Sequence, residues 1–430
     1  MDKKVIAVLL FISVTLPLFS GCIGEKGSTN EKPLAEITYP GDGTTVSNIV
    51  MISGTASDPD GDATLLRVEV MINDDNWNIA DGTTKWSYDW RTYEIDNSIY
   101  AIHVRSWDGT DYSDVKEITV KVYNPVSVNS DTHKWAIFVC AANFPEDNES
   151  KLGNGGLYLA EEMASYFIEN FQYSTSSVTI LFDDGWVRKS NGYGERIETL
   201  QQRRHKYDIT YGGATRENVI ASINYIAEES NKYDDSEVFI WFFSHGYGDE
   251  NNTKTGGKIL ENSAVFLWDE ILTDKGLGDI LSGLRSDKTC VLIDACYSGG
   301  FADKTIYNLP TFFLMRSNIP KSGRIVISST SKFRVGYAST TQGPLFSQLW
   351  FEGIKTGKAD GFRPGIDKSG RPTHLRIFKN GKVSVEEAFY YAKYTLRTDK
   401  TFEDYKKMEP QINDEYPHKG RLRSARDMYL

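Results

Sequence analysis

The chain has 430 residues, with 59 acidic and 48 basic side chains and a formal net charge of −11 at pH 7. That length predicts about two or three domains, and 40% hydrophobic with 25% charged residues exclude collagen, coiled coil and wholesale disorder. The acidic balance provides no positive surface for DNA or RNA, so we expect no nucleic-acid partner. Four cysteines are too few for a disulfide scaffold, and none has zinc-site spacing.

The first 22 residues have the pattern of a secretion signal. A charged start precedes an apolar run from Val5 to Phe19, which is shorter than the ~20 residues of a comfortable membrane span. Small residues then precede Cys22, as in the cleavage box of lipoproteins, where the cysteine becomes lipidated. We expect an exported cell-surface protein, held to the membrane through a lipid on Cys22. An uncleaved anchor or a plain secretion signal are the alternatives.

Residues 23–33 are polar and predict a tether, and residues 34–124 read as one all-β module. Short apolar segments such as Ile49–Ile52 and Tyr100–Arg105 recur between Asp-, Gly- and Pro-rich turns, which favours an antiparallel sandwich. The run from Ser53 to Asp62 resembles bacterial immunoglobulin-like repeats of cell-surface proteins. This resemblance implies an immunoglobulin-like domain that acts as a spacer.

The same run contains a candidate metal site. Asp58, Asp60 and Asp62 alternate along the chain, and their carboxylates are oxygen ligands of the kind that Ca²⁺ prefers. Hairpin loops rich in Asp have this composition without any metal. Calcium is therefore one of two interpretations of this loop.

From Lys134 onward the pattern changes to buried strands alternating with helices, after a polar linker over residues 125–133. Near-continuous apolar runs of this kind are typical of parallel strands covered on both faces. We therefore predict an α/β fold with a mostly parallel sheet sandwiched by helices over residues 134–430. The predicted strands are Trp135–Ala141, Val178–Phe182, Val238–Phe243, Thr289–Ile293 and Arg324–Ser328.

Two of these strands end in residues that carry chemistry. Ser244-His245-Gly246 follows the third strand, and Asp294-Ala295-Cys296 follows the fourth. Because ligands bind beyond the carboxyl ends of parallel strands, His245 and Cys296 are expected at one edge of the sheet. A thiol that attacks a carbonyl and an imidazole that manages its proton are what nucleophilic catalysis requires. If the N–H groups of Gly246 and Cys296 converge, they form an oxyanion hole.

The two motifs together resemble the caspase-like cysteine peptidases, the group of caspases, metacaspases, gingipains and legumain. They read Phe-Phe-Ser-His-Gly and Ile-Asp-Ala-Cys-Tyr-Ser-Gly-Gly, and the legumain type is the most similar. The resemblance covers about residues 134–417 and implies a cysteine endopeptidase acting on proteins or peptides. It implies that His245 and Cys296 are the catalytic pair, that a thioester acyl-enzyme forms and that no cofactor is required.

The resemblance fails at the specificity pocket. Legumain-type enzymes recognise asparagine through an Arg-His pair after the first strand, and residues 143–148 contain neither residue type. Asparagine preference is therefore not inherited. Asp294 stands where the motif carries an acidic residue, and we expect it to line the pocket and to favour basic or amide side chains. Ser328 and Ser329 resemble the strand edge that holds the substrate backbone, and Asn143 is a candidate for orienting His245.

Two other functions remain open from the residues. The same acyl-enzyme makes a transpeptidase if an amine intercepts it, as in the transamidase relatives of legumain. The second alternative is a catalytically inactive surface protein that acts in binding or adhesion. An inactive protein would not need intact motifs around both His245 and Cys296, which argues against this alternative. A redox thiol protein lacks a second cysteine at CxxC spacing, and Cys140 and Cys290 read as small buried hydrophobes.

Overall fold

The structure is a computed structural model that describes residues 30–143, 150–203, 205–248, 263–302, 319–366, 372–376, 379–417 and 427–430. The chain divides into two compact units, with the boundary between Asn124 and Pro125. The predicted signal segment with Cys22 and most of the predicted tether lie outside the described residues. Within the described ranges, no helix combines the length and apolar character that crossing a bilayer requires.

The first unit is a sandwich of two β-sheets. Its strands are β1 Leu34–Tyr39, β2 Thr45–Val46, β3 Ile49–Ser57, β4 Arg67–Ile72, β5 Asn78–Ile79, β6 Asp81–Gly82, β7 Lys85–Arg91, β8 Ile99–Trp107 and β9 Lys116–Val122. One sheet has the order β1-β3-β7-β6 and the other β2-β9-β8-β4-β5. Strand β3 alternates as a half-buried strand should, with Val50 and Ile52 inside and Ile49 and Met51 exposed. The predicted all-β module is confirmed.

The second unit contains a central sheet of seven strands and several short strands outside it. Its strands are β10 Lys134–Ala141, β11 Val178–Phe182, β12 Trp186–Arg188, β13 Arg196–Thr199, β14 Thr210–Gly212, β15 Glu237–Ser244, β16 Gly246–Gly248, β17 Ser263–Phe266, β18 Ile271–Thr273, β19 Thr289–Asp294, β20 Arg324–Ser328, β21 Ala338–Ser339, β22 Gly343–Pro344, β23 Phe362–Ile366, β24 Pro372–Arg376 and β25 Gln411–Asp414. The sheet order is β14-β11-β10-β15-β19-β20-β25, in which all pairs are parallel except β20 with β25.

Helices cover both faces of this sheet. They are α1 Gly155–Phe171, α2 Arg216–Ser230, α3 Asp274–Ile280, α4 Leu345–Lys355 and α5 Val385–Thr398. All eight residues of β15 are buried, and alternate ones face opposite layers. Phe239 and Trp241 pack in the core cluster that contains α1, α4 and α5, whereas Ile240 and Phe242 pack in the cluster that contains α2 and α3. The predicted α/β sandwich is confirmed.

Capping residues mark where two of the helices begin. Thr215 caps α2, with its hydroxyl accepting a hydrogen bond from the Asn218 N–H at 3.4 Å, as its position before the helix predicts. Ser384 and Glu387 form a capping box at the start of α5, because each side chain accepts from the other's backbone N–H. Strands of two to four residues, such as β14 and β25, are too short for periodicity to reveal.

Candidate active site

The site lies at the ends of two paired strands. Strands β15 and β19 are parallel neighbours, and their last aligned pair is Phe243 with Asp294. The chain then runs for two residues beyond each member of that pair, to His245 after β15 and to Cys296 after β19. The register therefore brings the imidazole-bearing and thiol-bearing residues to the same edge of the sheet, where the sequence predicted them.

Cys296 is a free, half-buried thiol next to a backbone donor. The N–H of Gly336 lies 3.3 Å from Sγ. Burial raises the pKa of the thiol, and the nearby charge of Asp294 adds to this, while the N–H groups of Gly336, Gly246 and Cys296 itself oppose the shift. Two of these donors, those of Gly246 and Cys296, are the ones predicted to form the oxyanion hole.

Gly246 must be a glycine where it lies. A Cβ atom built on it would sit 1.8 Å from the Cys296 carbonyl oxygen and 2.8 Å from the Cys296 nitrogen, so no side chain fits. Its backbone can approach the nucleophile because that Cβ is missing. Tyr297, next to the nucleophile, has a φ of 58°, a left-handed conformation that costs a residue with a side chain about 1–2 kcal/mol. Such strain is typical of sites that orient a reacting group.

His245 is oriented by a carbonyl group. Its Nε2 lies 2.6 Å from the backbone oxygen of Ser150, in the segment that leads into α1. A carbonyl oxygen only accepts, so Nε2 must carry a hydrogen, and Nδ1 is then the nitrogen that can take a proton in the neutral ring. The sequence did not reveal this contact, because a backbone carbonyl has no residue signature.

Comparison with known families agrees with this geometry. A family model described as the caspase domain matches residues 133–411, which is more than half of the chain. The chain belongs to the caspase-domain family. Membership in this family implies cysteine peptidase activity on protein or peptide substrates. A second model, described as a bacterial Ig domain, matches residues 33–104 in the first unit.

Solved structures give more distant similarities. Caspase-1 from Spodoptera frugiperda is 13% identical, and the match covers 68% of this chain and 89% of that one at a TM-score of 0.35. An endo-beta-1,4-mannanase from Thermotoga petrophila is 16% identical, with 23% of this chain and only 21% of that one covered at a TM-score of 0.20. No curated protein matches the chain. The family assignment therefore rests on the family model.

The Asn143 side chain makes no hydrogen bond to His245 in the structure, so the expected role of Asn143 in orienting His245 is not a direct one. Its side chain is fully buried and bonds to the carboxylate of Asp183 at 2.8 Å, to Asn154 at 3.2 Å and to the Gly153 N–H at 3.0 Å. Asn143 instead holds the segment that follows it. The imidazole is oriented by Ser150, which lies in that same segment.

The three residues expected to form the substrate pocket are buried. Asp294 is 2% exposed, and its carboxylate accepts from the N–H and hydroxyl of Ser347 at 2.9 and 2.7 Å, at the start of α4. Burial raises the pKa of Asp294 to about 6. Ser328 bonds to the carbonyl of Thr330 and Ser329 to that of Ala295. All three side chains are therefore engaged in hydrogen bonds within the buried strand ends.

A loop over residues 333–337, which no sequence motif marked, borders Cys296 instead. It follows β20, and its Arg334 carbonyl accepts from the Tyr297 N–H at 2.8 Å. Its Gly336 N–H reaches Sγ of Cys296. Phe333, at 41% exposure, and Tyr337, at 38%, present aromatic surface to solvent. Hydrophobic residues that alternate after the last predicted strand, at Phe333, Val335 and Tyr337, were the available signal.

The loop of the candidate calcium site is closed by its own hydrogen bonds. Asp58 accepts from the Asp60 N–H and from the Thr64 hydroxyl, and Asp62 accepts from the Asp58 N–H. Asp60 accepts from the Glu31 N–H. Across the part of the chain that the structure describes, no group of three or more His, Cys, Asp or Glu side chains is arranged to hold a metal ion. Calcium binding here stays a prediction.

Proposed function

We propose that the second unit is a cysteine endopeptidase that works through His245 and Cys296. The observation that carries the proposal is that β15 and β19 end side by side, which brings His245 and Cys296 to one edge of the sheet and packs the Gly246 backbone against the Cys296 backbone. Preorganised donors near a nucleophile stabilise the oxyanion that forms when it attacks a carbonyl. Removal of one such donor typically costs about 3–4 kcal/mol of barrier stabilisation.

The reaction then proceeds in two halves. Nδ1 of His245 takes the thiol proton as Sγ of Cys296 attacks the scissile carbonyl carbon, and the oxyanion is held by the two N–H groups. The C–N bond breaks, the leaving amine takes the proton from the imidazole, and a thioester remains. Water attacks this thioester with His245 again as base, and the carboxylic acid product leaves with the free thiol restored.

The raised pKa of Cys296 favours this order of events. Because burial holds the resting thiol protonated, a neutral imidazole that acts as general base fits better than a preformed thiolate and imidazolium pair. The hydrogen bond from Nε2 to Ser150 keeps the ring in the tautomer that this role requires.

We infer that the enzyme lies closest to the legumain type, on the two motifs around His245 and Cys296. Its specificity has to come from other residues, because Asp294 is buried. The loop around Phe333 and Tyr337 presents exposed apolar surface next to Gly336, whose N–H contacts the nucleophile. We expect substrates with apolar side chains near the cleaved bond, and a peptide library with varied positions on both sides of that bond tests this directly.

We further propose that the protein is exported and lipidated at Cys22, on the apolar run and the small residues that precede this cysteine. The full-length chain expressed in a bacterium should partition into the membrane fraction and incorporate labelled palmitate. A Cys22→Ser variant should lose the label while keeping peptidase activity. Label that persists in this variant contradicts lipidation at Cys22.

A further inference from the structure

A buried carboxylate behind the site has no role in the proposed chemistry. Asp183 follows β11, is fully buried and has a φ of 41°, in the left-handed region. Its Oδ1 accepts from the N–H groups of Ala142 and Asn143 at 2.7 and 3.2 Å, and its Oδ2 accepts from the Asn143 side-chain amide at 2.8 Å. Both carboxylate oxygens therefore accept hydrogen bonds from Ala142 and Asn143, the two residues that follow β10.

Those two residues in turn hold the segment that orients His245. The Ala142 carbonyl accepts from the Leu152 N–H at 2.9 Å, and the Asn143 side-chain oxygen accepts from the Gly153 N–H at 3.0 Å. The Asn143 carbonyl accepts from the Lys151 ammonium at 2.5 Å. Three consecutive residues, 151–153, are thus fastened to the end of β10. Ser150, whose carbonyl binds the imidazole, comes directly before them.

The polarity of the Asn143 amide is fixed by its surroundings. Its nitrogen faces two acceptors, Asp183 and Asn154, and its oxygen faces a donor, Gly153. Gly192 closes the remaining side, since a Cβ there would sit 1.9 Å from the Asn143 oxygen. An acceptor at position 183 is what keeps the amide nitrogen on that side, and a donor there would force the amide to turn.

We propose that Asp183 is a positioning residue for His245, acting through Asn143 on the Ser150 carbonyl. This proposal rests on the proposed function. Asp183 does not touch substrate or the reacting atoms; it sets the place of the carbonyl that aligns the base. Small displacements of an aligned catalytic group lower the rate by up to ~100-fold. The effect of Asp183 is therefore expected in kcat rather than in KM.

The test compares three variants of the full chain at about pH 8, because burial raises the pKa of Asp183 to about 7 and the carboxylate is ionised above that pH. Arg188, 3.8 Å away, is the cation that faces it. Asp183→Asn places a donor against the Asn143 amide, and we expect kcat to fall ~10- to 100-fold with KM within about twofold of wild type. The double variant Asp183→Asn with Asn143→Asp restores one donor facing one acceptor, and it should recover part of kcat.

Asp184→Asn is the matched control. Asp184 is the next acid in the chain, but its carboxylate bonds to Arg188 and Arg196 and not to Asn143. It should keep the kcat of wild type. Unchanged kcat in Asp183→Asn would overturn the proposal, and so would a loss that the double variant does not reverse. Absence of Cys296-dependent cleavage in the wild-type chain would instead count against the proposed function, which keeps the two failures distinct.

Discussion

The backbone N–H of Gly336 donates a 3.3 Å hydrogen bond to Sγ of Cys296, 40 positions earlier in the chain. The loop after β20 thus contacts the nucleophile that follows β19. The Gly246 backbone also packs against Cys296, whose thiol is half-buried. These surroundings affect the acidity of the Cys296 thiol.

The rate at which iodoacetamide alkylates Cys296 should rise with pH and reach its midpoint above the ordinary cysteine value of about 8.5. Burial disfavours the thiolate, and the backbone donors oppose this shift only in part. Mass spectrometry of the modified peptide measures the rate, and the fully buried Cys140 and Cys290 serve as internal references that stay unmodified in the folded protein. A midpoint well below 8 would instead indicate a preformed thiolate and imidazolium pair.

Replacement of Gly246 by alanine should lower kcat by about 100-fold or more. The added methyl group would overlap the Cys296 carbonyl at 1.8 Å, so the backbone must move and carry its N–H away from the oxyanion position. Gly283→Ala is the matched control, because a Cβ there meets nothing within 4 Å. Steady-state kinetics on one peptide substrate compares the two, and a Gly246→Ala enzyme as active as the control would argue against this oxyanion hole.

Ser347→Ala should lower the free energy of unfolding by about 1–3 kcal/mol. The buried Ser347 hydroxyl donates to Asp294 at 2.7 Å and accepts from the Trp241 ring N–H at 2.9 Å. Its removal leaves a buried carboxylate and a buried indole N–H each short of a partner. Urea denaturation measures the change against Ser176→Ala, an exposed serine outside the sheet. Equal stability of the two variants would mean that water replaces the lost contacts.

Most of the fold could be predicted from the sequence, but the residues around the substrate pocket could not. Apolar runs such as Val238–Phe243 predicted the central strands, and the residues directly after them predicted where His245 and Cys296 would lie. The burial of Asp294 against Ser347 was not predicted, because Ser347 is 53 positions away and no local pattern links the two residues. The Ser150 carbonyl and the Gly336 N–H were missed for the same reason, since backbone groups act through tertiary position alone.

Glu386→Gln should flatten the pH dependence of stability. Burial raises the pKa of Glu386 to about 8, with Asp414 and Asp427 adding to the shift, and both carboxylate oxygens lie 3.1 Å from the Met428 N–H. Between about pH 4.5 and 8 the unfolded chain has lost this proton while the folded chain keeps it, so wild-type stability falls as the pH rises.

Glutamine cannot ionise and keeps one acceptor for Met428. We therefore expect Glu386→Gln to gain about 1–3 kcal/mol relative to wild type on going from pH 5 to pH 8. Urea denaturation at both values measures this, and the raised pKa values of Asp183 and Asp294 act equally in the two proteins and cancel. A difference that is constant with pH would show that Glu386 ionises normally.

The central claim is that Cys296 and His245 together cleave peptide bonds. The most direct measurement is hydrolysis of a peptide library by residues 34–430, beside Cys296→Ala and His245→Ala. Each product is identified by mass spectrometry, and an added amine reveals transfer in place of hydrolysis. We predict cleavage by the unmodified protein that is lost in both variants. Cleavage that survives in either variant would contradict this claim. Absence of cleavage by the protein without substitutions would also contradict it, if an acyloxymethyl ketone does not label Cys296 either.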